Sequence, residues 1–378
     1  MSLSSFSPLC LILLAIALSC HPGMAQNASG NGSWTSSSQQ GSPDGNINPT
    51  RTTVSHAGSP DRDTDKASLE RLGPDGRYIP YLDTEKESVR ISDTTVRTIE
   101  RTFGRDADGR RTLVQERQEE IRTLKDGAKQ VTRTLSNPDG DGKLQVVQRE
   151  VEESKPISPG VVVTNMILMM PDVNGRFSAA VRTEGREVRS NDGTIESKKK
   201  TLITDGTGGW KLSEVRETSS KPADGNVRTR EERVSRPDGD GKLAEVERTV
   251  TGESQDSSGE KHATIETYST NVPGVAGGNG LQLVQRETTV QRASPAGKST
   301  VRQVEQARPG GVGEGLQLTQ EAIDIVRPNT SGTADQTRTI LTTDSNGRLG
   351  QVWVVTGKTG DPAAITVDTK APAKPATK

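Results

Sequence analysis

Pairs of aspartates in tight turns are the residues of this sequence best suited by type and spacing to bind a ligand. The two PDGDG stretches put Asp139 two positions before Asp141, and Asp238 two positions before Asp240. Carboxylates at that spacing can share a hard cation such as Ca²⁺, but an EF-hand loop adds further ligands and a distal bidentate Glu, which neither copy has. We therefore expect structural Asp-rich turns, with weak Ca²⁺ binding by these four aspartates as the alternative. No cofactor is expected.

The residues needed for catalysis are scarce. His262 is the one His in the repetitive part of the chain, so a metal triad or a Ser–His–Asp triad has too few members. Both cysteines, Cys10 and Cys20, lie within the first twenty residues. The sequence also lacks a GxSxG nucleophile elbow, a GxGxxG dinucleotide-binding motif and a Walker phosphate-binding loop. We therefore predict that the protein is not an enzyme.

Two apolar features point to packing or to docking. The segment from Gly160 to Val181 holds the long apolar run that includes Met166, Met169 and Met170. It is interpreted either as the best-buried strand pair of a sheet or as a partner-docking strand with adaptable Met contacts. Aromatic residues directly after turn glycines are the second feature. They are interpreted as packing beneath the turns rather than as a glycan-binding edge, because other copies of the turn carry Leu at that place.

These residues are positioned by an internal repeat. Turn glycines recur 33 residues apart at Gly76, Gly109, Gly142 and Gly175, and a second turn follows each of them after 16 to 18 residues. The segments between turns are rich in Val and Thr, which favour extended backbone. Asp-Gly and Asn-Gly supply hairpin turns, so adjacent strands must be antiparallel.

The repeat predicts an all-β fold. We expect an antiparallel β-meander of about nine hairpin repeats, each about 33 residues long, with about eighteen strands in an extended, twisted or superhelical sheet. The alternative is a sheet that curls on its Val/Leu/Ile face into an open barrel or a sandwich. A transmembrane barrel is not expected, because the repeats lack an apolar band with aromatic girdles.

The turns resemble those of a known repeat family. Between residues 76 and 349, Asp-x-Asp-Gly-Lys/Arg-x-Leu turns are separated by charged extended segments. In this turn chemistry they look like the RHS/YD-type β-hairpin repeats of bacterial secreted and cell-surface proteins. This chain differs from that family in the length of its repeat and in lacking the Tyr-Asp pair. The resemblance implies a bacterial envelope repeat protein.

The ends of the chain differ from the repeats. Leu9 to Leu18 is an apolar run too short to span a bilayer. The small residues Gly23 and Ala25 predict signal-peptide cleavage after Ala25, and a loose lipoprotein box ending at Cys20 is the alternative. We therefore divide the chain into a signal peptide (1–25), a disordered Ser/Gly/Asn-rich linker (26–72), a β-hairpin repeat domain (73–357) and a disordered Pro/Ala/Lys tail (358–378).

Composition limits the function. Hydrophobic residues make up 29% of the chain and aromatic residues 2%, which argues against a large enzyme with one filled core. Lys plus Arg is 49 and Asp plus Glu is 50, so the net charge of −1 gives no electrostatic case for nucleic acid. We predict an exported bacterial repeat protein with a structural or binding/scaffold role at the cell envelope or outside the cell. The alternative is a secreted hydrolase or glycan-active enzyme on a β scaffold.

The same features set the expected location and partners. The protein is expected to be periplasmic or extracellular, with lipid anchoring through Cys20 left open. Exposed strand edges make self-association an expected property, beside an envelope or extracellular partner. No nucleic acid partner is expected, and no membrane span is expected after removal of the signal peptide.

Overall fold

The computed structural model describes residues 32–41, 47–73, 75–224, 227–271, 280–307, 315–328, 334–343 and 348–359. The predicted signal peptide and residues 360–378 of the predicted tail lie outside these ranges. No helix long and apolar enough to cross a membrane occurs in the described ranges. The strands, in chain order, are β1 (Gly32–Gly41), β2 (Ile47–Ser59), β3 (Arg62–Leu72), β4 (Tyr78–Ser92), β5 (Thr95–Arg105), β6 (Arg111–Thr123), β7 (Lys129–Pro138), β8 (Leu144–Ser158), β9 (Val161–Pro171), β10 (Phe177–Arg189), β11 (Ile195–Thr204), β12 (Trp210–Asp224), β13 (Val227–Pro237), β14 (Leu243–Gln255), β15 (Lys261–Ser269), β16 (Gln282–Ser294), β17 (Gly297–Ala307), β18 (Leu316–Pro328), β19 (Ala334–Thr343) and β20 (Leu349–Thr359).

Each strand pairs with the next one along the chain, and every ladder is antiparallel. The predicted all-β antiparallel meander is therefore confirmed. The strand count differs from the expected eighteen, because twenty strands form one sheet.

Three of the described strands lie in the segment that the sequence assigns to a disordered linker, and seventeen begin after residue 72. Residues 32–41, 47–59 and 62–72 form β1, β2 and β3, so the linker boundary at residue 72 is corrected. Val54 on β2 lies directly opposite Ala67 on β3, and both side chains are buried. A few apolar residues placed in register bury one another, although the average composition of the segment is polar.

The sheet curls strongly. Twenty flat strands spaced about 4.8 Å apart would separate β1 from β20 by roughly 90 Å. Instead, Cα atoms of β1 and β20 approach within 8 Å, although no ladder between these two strands is described in the resolved ranges. The expected extended or superhelical sheet is therefore corrected to a single layer that is curled but not closed by hydrogen bonds.

Repeated β-bulges explain the curl. The ladder register shifts by one residue at Thr102/Phe103, at Leu135/Ser136 and at Val234/Ser235, in each case within a few residues of a turn. A bulge bends its strand and increases the local twist. Bulges repeated at the same end of successive hairpins therefore bend the sheet in one direction.

The ladders divide the strand residues between two faces. One face contains Val54, Thr84, Arg133 and Thr183 and is called the Arg133 face; the other contains Arg101 and is called the Arg101 face. Eight of the ten buried strand residues lie on the Arg133 face, namely Val54, Ala67, Leu69, Thr84, Val131, Thr183, Val234 and Val304. Side chains converge on the concave side of a curled sheet, so the Arg133 face is the concave one.

Candidate functional site

The predicted aspartate pairs serve the turns in which they lie. The Asp139 carboxylate accepts the backbone N–H of Asp141 at 3.0 Å and that of Lys143 at 2.9 Å, and it also accepts the Gln145 side-chain amide at 3.1 Å. These hydrogen bonds, led by that of Gln145, hold the pKa of Asp139 below its usual value. In the described part of the chain, no group of three His, Cys, Asp or Glu residues is placed to hold a metal ion. Weak Ca²⁺ binding stays a prediction.

The second turn of this kind repeats the geometry. Asp238 accepts the backbone N–H groups of Asp240 and Lys242, each at 2.9 Å. The Gly241 N–H donates to the Asp238 carbonyl at 3.0 Å, and Gly241 has a φ of 79°. A positive φ is the left-handed conformation that Gly adopts at little steric cost. The 33-residue period therefore comes from a turn that needs both Asp and Gly.

The three predicted docking methionines do not share one surface. In β9, Met166 and Met170 lie on the Arg133 face, whereas Met169 lies on the Arg101 face. No residue of β9 is buried, and Met170 is 48% exposed. The interpretation of β9 as part of the best-buried strand pair is therefore wrong. A docking role for these methionines stays a prediction.

The aromatic residues that follow turn glycines are Tyr78, Phe177 and Trp210. The Arg51 guanidinium lies 4.7 Å from the Tyr78 ring centroid, and the Arg149 guanidinium lies 5.1 Å from the Phe177 ring centroid. Trp210 is 37% exposed. Arg covers one face of the Tyr78 and Phe177 rings, which supports packing there, and the choice between packing and a glycan-binding edge stays a prediction.

A cluster that sequence reasoning missed lies in the middle of the Arg133 face. Across the β6–β7 and β7–β8 ladders, Arg133 faces Glu119 on one side and Glu150 on the other. Arg133 Nε donates to Glu119 Oε2 at 2.6 Å, and its Nη1 donates to Glu152 Oε2 at 3.1 Å and also to Glu150. We call these four residues the Arg133 cluster. One positive and three negative charges leave it with a net charge of −2.

The Arg133 guanidinium is firmly charged. Burial disfavours its charged form, but the hydrogen bonds to Glu119, Glu150 and Glu152 outweigh burial and raise the pKa of Arg133 above its ordinary value. The side chains of the cluster keep only 20 to 29% of their exposure. The surplus negative charge is therefore only partly screened by water, and it attracts a cation.

A cavity of about 410 Å³ opens beside this cluster on the Arg133 face. Its floor includes Met166 and Gly185, and the missing side chain of Gly185 leaves space between Thr164 and Lys199, which are its direct neighbours across the two ladders. The cavity is lined by Arg133, Glu150, Glu152, Thr164, Met166, Thr183, Gly185, Arg186, Glu187, Ser197, Lys198 and Lys199. We call it the first cavity.

The far wall of the first cavity is basic. Lys199 is exposed and lies directly opposite Arg216 across the β11–β12 ladder. Arg216 forms ion pairs with Glu214 and Glu232, whereas no ion pair of Lys199 is described among the resolved residues. Like charges that face each other across a ladder are unfavourable. An anionic group near Lys199 relieves that repulsion.

The acidic and basic walls are separated by a distance that a small ligand can bridge. Glu152 on β8 and Lys199 on β11 are three strand spacings apart and two residues apart along the strands, or roughly 16 Å between backbones. Thr183, between them on β10, is 4% exposed. The cavity therefore offers carboxylates at one end, an ammonium group at the other, and a floor of small and apolar side chains.

Both faces of the sheet carry ion pairs in mid-strand. On the Arg101 face, Arg101 Nε contacts Glu116 Oε2 at 2.7 Å and Arg97 Nη2 contacts Glu120 Oε2 at 2.7 Å. Arg101 and Arg97 each contact one carboxylate, in contrast to the three carboxylates around Arg133. The sequence did contain a partial signal for them, because Arg and Glu are interleaved along neighbouring strand segments, but the bulged register that pairs them is not visible in it.

Comparison with known proteins found no matching family model and no matching curated protein. Among solved structures, the chain is similar to the siderophore receptor PirA from Pseudomonas aeruginosa, at 10% identity and a TM-score of 0.49 over 88% of this chain and 74% of that one. It is similar to PirA from Acinetobacter baumannii, at 8% identity and a TM-score of 0.49 over 87% and 73%. A variant of the ferric enterobactin receptor from Pseudomonas aeruginosa gives 9% identity and a TM-score of 0.44 over 88% and 72%.

These matches correct the predicted function. The three structures are receptors. The expected structural or scaffold role at the envelope is therefore set aside, whereas the enzymatic alternative stays an expectation of the sequence. With TM-scores below 0.5, the likeness gives no ground for assigning the ligands of those receptors to this chain.

Proposed function

We propose that the protein is a non-enzymatic receptor of the cell envelope that holds a small zwitterionic solute in the first cavity. The observation that carries the proposal is the net charge of −2 on the Arg133 cluster at one wall of a 410 Å³ cavity, with Lys199 at the other. That volume lies in the range of small-molecule sites.

In this proposal, each end of the solute has its own partner. An ammonium or guanidinium group of the ligand binds Glu150 and Glu152, which line the cavity and share Arg133 as their protein cation. A carboxylate or another anionic group binds Lys199. The aliphatic middle of the ligand lies over Met166, because a thioether side chain adapts to ligands of different shape.

The test uses 8-aminooctanoate as the probe, with octylamine and octanoate as ligands that carry only one of its charges. Isothermal titration calorimetry of the full-length protein is expected to give a dissociation constant of about 1 mM or tighter for the zwitterion. Each single-charge ligand is expected to bind at least about fivefold more weakly, because it loses one ion pair.

Variants then locate the site. Glu152→Gln and Lys199→Gln are each expected to weaken binding of 8-aminooctanoate, whereas Glu253→Gln, at an exposed position of the Arg133 face on β14, serves as the matched control. Equal binding of all three ligands, or binding unchanged in both cavity variants, would refute the proposal. Circular dichroism of each variant checks that the sheet is intact.

A further inference from the structure

A second cavity adjoins the first on the Arg133 face. It has a volume of about 300 Å³ and is lined by Gln115, Arg117, Arg133, Thr134, Leu135, Gln148 and Glu150. Arg133 and Glu150 line both cavities, so the two cavities meet at the Arg133 cluster. Together they form one groove across strands β6 to β11.

The far end of this groove is cationic. Arg117 lies on the Arg133 face, opposite Leu135 on β7 and Glu100 on β5, and its side chain is exposed. The Gln115 and Gln148 amides and the Leu135 side chain complete the surroundings. Arg117 presents a planar donor fork to this cavity, which matches the geometry of a carboxylate.

The charges along the groove alternate in sign. Arg117 is positive, the Arg133 cluster has a net charge of −2, and Lys199 is positive. Glu187 also lines the first cavity, two positions along β10 from Gly185, which is paired with Lys199, and its exposure leaves it in contact with water. The pattern plus, minus, plus is complementary to a ligand with charges of minus, plus, minus.

We propose that the groove binds an extended acidic–basic–acidic peptide whose central Lys or Arg enters the Arg133 cluster and whose two flanking carboxylates meet Arg117 and Lys199. The inference rests on the proposed receptor function and names its ligand class. Arg117 and Lys199 are five strand spacings apart across the sheet, roughly 24 Å, and six residues apart along the strands, roughly 20 Å, so about 31 Å separates their backbones. In an extended peptide, side chains at positions i, i+4 and i+8 lie on one face and span about 26 Å, and the long Arg and Lys side chains bridge the remaining distance.

The composition of the groove favours a peptide over a shorter solute. Two primary amides, from Gln115 and Gln148, line the second cavity and each carries both a donor and an acceptor for backbone groups. Thr164 and Ser197 hydroxyls do the same in the first cavity. A peptide backbone supplies matching N–H and C=O groups along its whole length.

The probe is the nonapeptide acetyl-Glu-Ser-Ser-Ser-Lys-Ser-Ser-Ser-Glu-amide. Its control is acetyl-Lys-Ser-Ser-Ser-Glu-Ser-Ser-Ser-Glu-amide, which has the same composition and net charge in a different order. Titration of the full-length protein is expected to show the first peptide binding about tenfold more tightly, because only its charge order matches the groove at all three places. Arg117→Gln is expected to weaken that binding about fivefold, as an exposed ion pair would, and to leave 8-aminooctanoate unaffected.

The matched control variant is Arg228→Gln, an exposed Arg on the same face that lies on β13, away from both cavities. If 8-aminooctanoate binds but the two peptides bind equally, or if Arg117→Gln changes nothing, the peptide inference is overturned and the receptor proposal stands. If neither 8-aminooctanoate nor the peptides bind, both the receptor proposal and the peptide inference are refuted.

Discussion

Removing the Arg133 guanidinium gives the sharpest test of the central cluster. Arg133→Met keeps an unbranched side chain of similar length but leaves Glu119, Glu150 and Glu152 without the cation that all three contact. Hydrogen bonds to charged groups contribute about 1.5–3 kcal/mol when buried, and exposed ion pairs about 0.2–1 kcal/mol. Side chains that keep 20 to 29% exposure lie between these limits.

We therefore expect a loss of about 1 kcal/mol for each carboxylate and about 3 kcal/mol in total. The free energy of unfolding is measured by urea titration followed by far-ultraviolet circular dichroism. Arg97→Met is the control, since Arg97 pairs with one carboxylate, Glu120, and keeps 41% exposure. Its expected loss is about 1 kcal/mol or less.

The pH dependence separates charge from packing. Without Arg133, the three clustered carboxylates repel one another in the folded variant as long as they are charged. That repulsion is present at neutral pH and disappears in acid, where carboxylates are protonated. The loss of unfolding free energy in Arg133→Met should therefore be smaller at pH 4 than at pH 7. Adding Glu150→Gln to Arg133→Met should restore part of the lost stability at pH 7. A deficit that is the same at both pH values would show that lost packing of the Arg stem explains the effect.

Three further predictions concern the turns, the ion pairs and the methionines. Gly142 has a φ of 78°, so Gly142→Ala should lower stability by about 1 kcal/mol. Gly140 lies in the same turn, and nothing lies within 4 Å of a Cβ added there. Gly140→Ala should therefore leave the thermal unfolding of the protein unchanged. Hydrogen bonds from two Arg side chains lower the pKa of Glu120 below its ordinary 4.5. The stability that Glu120 contributes is therefore present above that pH and is lost as the pH falls through the lowered pKa. Glu120→Gln should be less stable than the unmodified protein at pH 7 and equally stable near pH 3, as measured by urea unfolding. Replacing Met169 and Met170 together by Ser should lower stability by about 1–2 kcal/mol without changing the oligomeric state; light scattering that shows lost association at unchanged stability would favour the docking role instead.

The repeat architecture could be predicted because turn formation is local. Asp139 and Gly142 close their turn with hydrogen bonds made inside five residues, and the same bonds recur at Asp238 and Gly241. A motif of that kind shows its period in the sequence, and short turns between β-branched segments leave an antiparallel meander as the outcome. The predicted linker boundary was wrong because β2 and β3 are stabilised by pairing with each other and with neighbouring strands. The average composition of a segment does not show such pairing.

The candidate site depended on long-range pairing. Glu119, Arg133 and Glu150 come from three strands, and the contact of Arg133 with Glu152 joins a neighbouring row of the same face. A bulge shifts the register by one residue, and such a shift changes which side chains share a face. Local turn chemistry therefore determined that this chain is a meander of hairpins. The ladders, the bulges and the curl of the sheet determined which face is concave. They also brought three carboxylates together around one guanidinium beside a cavity.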